Sequence, residues 1–201
     1  GAAPELAGFF VGAGFNAFGI AAAGGAGRAL AEWIAGGAPP MDLWPVDIRR
    51  FGAPHRASEW VHARTLELYA KHYGVAWPNE EHDSARPARV SPLYLRLGQA
   101  GACFGEKLGW ERPNWFATSG AEPRDRYSFG RPNWFEAVGE EHRAARERVA
   151  LFDQSSFAKF EVSGPDALDA LSWICAGDVA RKPGSLVYTQ MLNRQAGIEC
   201  D

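Results

Sequence analysis

The chain has 201 residues, of which 46% are hydrophobic and 22% are charged, and its formal net charge is -3. This is ordinary globular composition, so it disfavours wholesale disorder, a collagen-like repeat and a disulfide-dense scaffold. The numbers of basic and acidic residues are nearly equal, so the net charge does not indicate nucleic acid as a partner. Its three cysteines are far apart and form no CxxC pair, which fits a reducing compartment and predicts neither a zinc site nor a disulfide framework.

The first 40 residues are rich in small side chains, holding 10 of the 23 glycines and only three charges. A signal peptide needs basic residues before its apolar segment, whereas residues 1–12 contain Glu5 and neither Lys nor Arg. A transmembrane helix needs about 20 mainly apolar residues. Nine glycines, Asn16 and Arg28 interrupt residues 8–37, so we expect no membrane insertion.

The pattern in this first part predicts a strand, a turn and a helix. Residues 8–13 have the short apolar run of a strand buried on both faces, and residues 14–19 form a tight loop. Residues 20–35 are predicted as a helix that ends at the glycines following it. Pro45 makes residues 42–51 an extended connector.

Further elements follow in chain order. Ser58 is predicted to cap a helix that ends before Gly74, with an apolar face of Leu66, Tyr69, Ala70 and Tyr73. The polar segment 79–92, with two prolines, is predicted to be a linker. From residue 93 a second globular segment begins, in which the sequence R-P-N-W-F occurs at 112–116 and again at 131–135.

The last part predicts two helices, two strands and a hairpin. Residues 136–151 and a segment opened by Pro165 and running to Gly177 have helical patterns. Residues 157–162 alternate between apolar and polar side chains, which is typical of a half-buried strand. Residues 186–192 read as a strand that turns at 193–197 into another strand from Ile198. Because the first strand and the last hairpin lack partners in the sequence, we expect an internal piece of a longer chain.

Residues 12–17 match the pattern G-x-G-x-x-A between a strand and a helix, where glycines let a backbone approach a phosphate. A first-turn dinucleotide fingerprint also needs a second buried strand ending in an acid about 20 residues on. Pro39 and Pro40 stand there instead. Tight helix packing and a cofactor contact both remain open on the residues alone.

Other chemistry-bearing residues give weaker signals. The repeated R-P-N-W-F sequence suits either stacking on an aromatic ligand or, as we favour, filling a hydrophobic seam between domains. The five histidines show no metal-binding spacing, and Cys200 has no neighbouring base, so we predict neither a metal site nor a cysteine nucleophile. Asp201 follows a turn, where a carboxylate is either a solvated strand residue or a functional group.

The order of motifs from residue 9 onward resembles the sarcosine and dimethylglycine dehydrogenase family, flavoproteins with an aminomethyltransferase-like folate domain. The matching stretches lie at residues 9–16, 24–27, 41–44, 47–51, 109–116, 152–160 and 188–193. The resemblance implies a fold of α/β and α+β parts. It makes residues 1–38 the end of an FAD-dependent oxidoreductase domain, residues 39–92 a small central domain, and residues 93–201 the start of the folate domain.

The resemblance also implies where ligands bind. Backbone amides in one turn would face the flavin of FAD, and the expected contacts are Gly14, Phe15, Asn16, Ala17, Phe18, Gly19 and Ile20. Residues 193–201 are similar to the family pattern N-x-x-G-G-x-x-x-D, in which the final Asp assists one-carbon transfer to tetrahydrofolate. Asp201 takes that place, whereas Ala196 stands where the family usually has glycine.

The expected function is FAD-dependent oxidative demethylation of sarcosine, dimethylglycine or a related methylated amine, with the one-carbon unit passed to tetrahydrofolate. The electron acceptor would be an electron-transfer flavoprotein or oxygen, and the location cytoplasmic, or the mitochondrial matrix in a eukaryote. The 201 residues alone are expected to be inactive. Two alternatives are a stand-alone aminomethyltransferase of the glycine-cleavage type and a non-catalytic flavin- or folate-binding module.

Overall fold

The computed structural model describes residues 1–118 and 120–200. Two compact units divide the chain, one from Gly1 to Ser156 and one that begins at Phe157. The helices are α1 (Gly19–Gly36), α2 (Ser58–Lys71), α3 (Tyr94–Gln99), α4 (Phe135–Glu147) and α5 (Ala167–Ile174), and the strands are β1 (Ala102–Lys107), β2 (Trp110–Phe116), β3 (Met191–Leu192) and β4 (Ile198–Cys200). Three short 3-10 turns occupy Trp44–Val46, Ile48–Arg50 and Ala53–Arg56. The mixture of helix and strand that we predicted is therefore confirmed.

Helix α1 confirms the prediction for residues 20–35. It ends where Gly37 adopts a left-handed conformation, φ 77°, and donates its N–H to the carbonyl of Trp33 at 2.8 Å. Trp33 is the buried residue of this helix, and the ring of Phe10 packs edge-on against it with centroids 5.8 Å apart. None of the described helices combines the length and continuous apolar sequence needed to cross a bilayer.

The buried strand predicted at residues 8–13 is wrong. The chain instead folds back on its own start, with one isolated bridge between Ala2 and Phe10 and a hydrogen bond from the N–H of Val11 to the carbonyl of Gly1. Phe9 is 51% exposed. A strand buried on both faces needs a strand on each side, and within the described residues this segment has none.

The extended connector predicted at residues 42–51 is also wrong, because two 3-10 turns form there. Pro45 has the fixed φ that suits the first turn of a helix. Asp47, only 2% exposed, accepts the backbone N–H of Arg49 at 2.8 Å and pairs with its guanidinium at 2.7 Å. The hydrogen bond from the Arg49 side chain holds the pKa of Asp47 below its ordinary value, although burial raises it.

Helix α2 lies where it was predicted but buries a different face. Its N-cap is Ala57, so Ser58 is not the cap, and the predicted apolar face is exposed, Tyr69 by 79% and Tyr73 by 88%. Arg64 is the buried residue of this helix instead, and its guanidinium donates to Glu106 of β1 and to the carbonyl of Ser84, each at 2.9 Å. A charged contact, which the apolar spacing does not reveal, therefore orients α2.

The segment predicted to be a linker, residues 79–92, has no helix or strand but is packed against the β1–β2 hairpin. Arg86 pairs with Glu111 of β2 at 2.6 Å and donates to the carbonyl of Phe104 at 2.8 Å. Glu111 is 5% exposed. The Arg89 carbonyl accepts the N–H of Glu111 at 2.8 Å, so ionic and backbone contacts hold this segment in place.

The two R-P-N-W-F sequences fold differently. The first lies in β2, which pairs antiparallel with β1, and the second ends at the first residue of α4. Trp115 is 3% exposed and donates its indole N–H to Asp125 at 2.7 Å. Burial raises the pKa of the neighbouring Cys103 thiol to about 12, and the carboxylate of Asp125 adds to this, so Cys103 is a protonated thiol at neutral pH.

The remaining predictions have mixed outcomes. Helices α4 and α5 confirm the two predicted helices, and the hairpin of β3 and β4 confirms the predicted turn. The predicted strand at 186–192 is present only at Met191–Leu192. The strand predicted at 157–162 is wrong. Phe160 there is 89% exposed, and no described strand lies beside that segment to share its backbone hydrogen bonds.

Candidate functional site

The turn before α1 and the first two residues of that helix contain all seven expected FAD contacts. The backbone of this turn is unusual because Gly14, Asn16 and Ala17 have positive φ angles of 76°, 46° and 69°. Left-handed conformations cost energy for residues other than glycine, and such residues often mark functional turns. The N–H of Phe18 donates to the carbonyl of Phe15 at 2.9 Å, which closes the turn directly before the helix.

The N-terminus of α1 is suited to accept negative charge. No side chain caps it, and its first turn carries no acidic residue. The N–H groups of a first turn lack partners within the helix, and with the helix dipole they give this end a partial positive charge. Phe18 is 59% exposed and Ile20 98% exposed, so this end of the helix is open. The geometry suits an oxygen acceptor placed against the turn.

One neighbour of this turn carries no sequence motif. The ring of His72, just after α2, lies 5.1 Å from the ring of Phe18, and the ring of Tyr73 lies 4.6 Å from that of His72. These residues join the turn to the end of α2. Nothing in the local sequence signals the contact, because the two partners are more than 50 residues apart.

The β3–β4 hairpin is organised by one side chain, that of Asn193. Its amide oxygen accepts the N–H of Gln195 at 3.0 Å and of Gly197 at 2.8 Å, and its amide nitrogen donates to Glu199 at 2.7 Å. Asparagine commonly stabilises turns in this way. Asp201, the expected one-carbon transfer residue, lies outside the described residues, so only the hairpin that precedes it is placed.

Ala196 in this hairpin has φ 62°, in the left-handed region that favours glycine. We expect Ala196→Gly to stabilise the turn by about 1 kcal/mol, because glycine adopts this conformation without steric cost. The measurement is hydrogen exchange at the amide of Asn193, which donates to the carbonyl of Gly197 at 2.9 Å, and it should slow about fivefold. Gly197→Ala is the opposing control, because its Cβ would lie 2.9 Å from the Asn193 side chain and should speed exchange. Equal exchange in the parent chain and Ala196→Gly would contradict this account of the turn.

Side chains that could share a metal ion would form another kind of candidate site. Across residues 1–118 and 120–200, no group of three or more His, Cys, Asp or Glu side chains is arranged to hold a metal ion. The two candidate ligand sites are the turn before α1 and the β3–β4 hairpin. They belong to different compact units.

Comparison with known proteins gives two family matches. Residues 93–201 match the family described as the GCVT N-terminal domain, and residues 36–91 match the FAD dependent oxidoreductase central domain. The first of these matches covers more than half of the chain.

Three curated relatives are similar across the whole chain. A 4-methylaminobutanoate oxidase (formaldehyde-forming) of Paenarthrobacter nicotinovorans is 47% identical over 201 residues, which are 100% of this chain and 24% of the relative. The mitochondrial sarcosine dehydrogenase of Homo sapiens is 40% identical over 228 residues, 100% of this chain and 25% of the relative. A mitochondrial pyruvate dehydrogenase phosphatase regulatory subunit of Mus musculus is 36% identical over 206 residues, 100% of this chain and 24% of the relative.

The chain thus spans about a quarter of the length of the curated relatives it matches. The order of an oxidoreductase central domain followed by a GCVT N-terminal domain agrees with the motif resemblance found in the sequence. The chain therefore belongs to the GCVT N-terminal domain family, and over its whole length it is similar to a 4-methylaminobutanoate oxidase and a sarcosine dehydrogenase.

Proposed function

We propose that the protein containing this chain is an FAD-dependent enzyme that oxidatively demethylates sarcosine, dimethylglycine or a related N-methyl amine and passes the one-carbon unit to tetrahydrofolate. The observation that carries this proposal is the 40% identity to a sarcosine dehydrogenase along the whole chain. An electron-transfer flavoprotein or oxygen would accept the electrons. Release of the one-carbon unit as formaldehyde is the alternative fate, which the name of the oxidase relative states for that protein.

In this proposal the chain contributes to three domains. Residues 1–38 form the end of the FAD-dependent oxidoreductase domain, residues 39–92 the central domain and residues 93–201 the start of the folate domain. The match to a central oxidoreductase domain at residues 36–91 supports this arrangement, because such a domain implies a flavin domain beside it. The same match weighs against a stand-alone aminomethyltransferase, because that interpretation does not account for the oxidoreductase central domain at residues 36–91.

The turn before α1 has the chemistry that a flavin requires. FAD, when bound, supplies the two-electron acceptor for amine oxidation. Residues 14–20 would hold and orient it, through backbone N–H groups other than that of Phe18, which already donates to the carbonyl of Phe15. The positive end of α1 would stabilise negative charge on a flavin held there. Its uncapped start and acid-free first turn are consistent with this use.

We expect Gly19→Val in the complete protein to weaken FAD binding at least about tenfold. A Cβ at Gly19 would meet only the Cβ of Phe15, at 3.9 Å, so the described fold has room for a side chain to begin there, whereas a flavin held against the turn would not leave that room. The measurement is a titration of the apoprotein with FAD, followed by flavin fluorescence.

Gly24→Val is the matched control for this change. Gly24 lies in the same helix, and a Cβ there has no neighbour within 4 Å among the described residues, so FAD affinity should be unchanged. If Gly19→Val and Gly24→Val bind FAD equally well, the turn is not a flavin contact.

A non-catalytic role is the second candidate, and one observation favours it. The regulatory subunit described above is similar along the whole chain, so this sequence pattern also occurs in a protein that is named for regulation. The two candidates differ in a simple assay. Purified complete protein that consumes an N-methyl amine supports the enzyme, and protein that binds FAD but consumes none of these amines supports the regulatory role.

A further inference from the structure

A cleft lies in the first unit, lined by residues other than those of the turn before α1. It has a volume of about 770 Å³ and is bounded by the 3-10 turns, by α2 and by the end of β1. Side chains from these elements line it, among them Arg50, Phe51, Trp60, Arg64 and Leu68. Neither the flavin contacts nor the hairpin of residues 191–200 takes part in it.

One wall of the cleft is a set of aromatic rings in fixed positions. The ring of Trp60 packs edge-on against His55 with centroids 4.7 Å apart, and the ring of Phe51 lies 6.1 Å from it. His55 is itself held, because its Nδ1 accepts the N–H of Gly52 at 2.9 Å. The Arg64 guanidinium lies over the Trp60 ring, 4.9 Å from its centroid. A ligand with a flat apolar body would therefore meet a wall of aromatic rings that pack against one another.

The charges around the cleft leave one arginine without an acidic partner. Arg64 pairs with Glu106, and Arg56 pairs with Glu5. Arg50 donates to the backbone carbonyl of Asp47 at 2.6 Å and lies over the Phe51 ring at 4.2 Å. In the described part of the chain no carboxylate lies within ion-pair distance of Arg50. Its positive charge is open to an anion.

Two N–H groups at this wall lack an acceptor. The indole nitrogen of Trp60 and Nε of Arg64 are both buried without a hydrogen bond. Oε2 of Glu67 lies 3.8 Å from Nε of Arg64, too far for a hydrogen bond. Arg64 is 6% exposed. A buried donor without an acceptor is costly, and such groups often mark the place of an absent ligand or water.

We propose that this cleft binds a small organic carboxylate with a flat apolar body. The guanidinium of Arg50 pairs with the carboxylate, and rotation of the Trp60 side chain would expose its buried indole N–H to one carboxylate oxygen. The apolar body packs against the rings of Phe51 and Trp60. Its lining residues include none of the proposed flavin contacts and none of the β3–β4 hairpin, so it does not depend on the proposed function.

The test is a calorimetric titration of the full chain with benzoate as the probe and benzamide as its neutral counterpart. We expect saturable binding of one benzoate, with benzamide at least about tenfold weaker because it carries no charge for Arg50. Equal affinity for both probes, or no saturable binding of benzoate, would overturn the proposal.

Two variants locate the site on the chain. Arg50→Gln removes the charge, and Trp60→Phe removes the indole N–H while keeping an aromatic ring, so each should weaken benzoate binding about tenfold. Arg28→Gln is the control, because Arg28 lies on α1 and pairs with an exposed Glu32 away from the cleft. Circular dichroism of each variant confirms that the fold is retained. Unchanged benzoate affinity in Arg50→Gln, or an equal loss in Arg28→Gln, would place the binding elsewhere and refute the assignment.

Discussion

Replacing Arg64 with alanine should lower the free energy of unfolding of the first unit by about 3 kcal/mol, because it leaves a buried carboxylate without its partner. The side chains of Arg64 and Glu106 are 7% and 10% exposed, and their ion pair measures 2.9 Å. The same change removes the hydrogen bond to the carbonyl of Ser84. Urea denaturation followed by circular dichroism measures the loss.

Two further variants separate the ion pair from simple truncation. Arg28→Ala removes an exposed pair on α1, 81% and 44% exposed, and should cost less than about 1 kcal/mol. Arg64→Met with Glu106→Gln keeps most of the buried volume and removes both charges, so it should recover part of the lost stability. A cost for Arg64→Ala no greater than that for Arg28→Ala would show that this contact does not fix α2.

Asp201→Asn in the complete protein should leave amine oxidation near its parental rate and slow methylene-tetrahydrofolate formation by about 10²-fold. A carboxylate beside the pterin is proposed to orient or deprotonate the nitrogen that captures the one-carbon unit, and an amide cannot take a proton. The two rates are measured on the same preparation, oxidation with an artificial electron acceptor and transfer by the folate product.

Glu199→Gln is the control for that variant. Glu199 lies in the same hairpin and accepts a hydrogen bond from Asn193, which a glutamine can still satisfy. Both rates should therefore be near the parental values. Loss of both activities to the same extent in Asp201→Asn, or of neither, would remove Asp201 from the transfer step.

Helix ends and turns were the features that local sequence predicted well. Gly37 ends α1 because glycine takes the left-handed conformation, and the Asn193 side chain closes the β3–β4 turn with its own hydrogen bonds. Both effects depend on residues close together in the chain. The same reasoning predicted α5, whose start follows the glycine and proline before it.

Strands and buried faces were predicted less well because they depend on distant partners. An apolar run such as 8–13 forms a strand only when another strand accepts its hydrogen bonds, and the described chain supplies none. The burial of Arg64 depends on Glu106, which lies 42 residues away. No apolar periodicity can reveal such a contact.

In the candidate site, too, the residues that are contiguous in sequence were predicted and the contacts between distant segments were not. Its contiguous part, residues 14–20, follows from the motif resemblance and forms the turn before α1 and the start of that helix. The contact of His72 with Phe18 and the cleft beside Trp60 required the structure, because their residues come from separate segments.

The most direct test of the proposed function is the visible absorbance of the complete protein when an N-methyl amino acid is added without oxygen. We predict that bound flavin loses its absorbance on addition of sarcosine or dimethylglycine, and that methylene-tetrahydrofolate forms when tetrahydrofolate is present. A purified protein without flavin, or one whose flavin absorbance no N-methyl amine changes, would contradict the account.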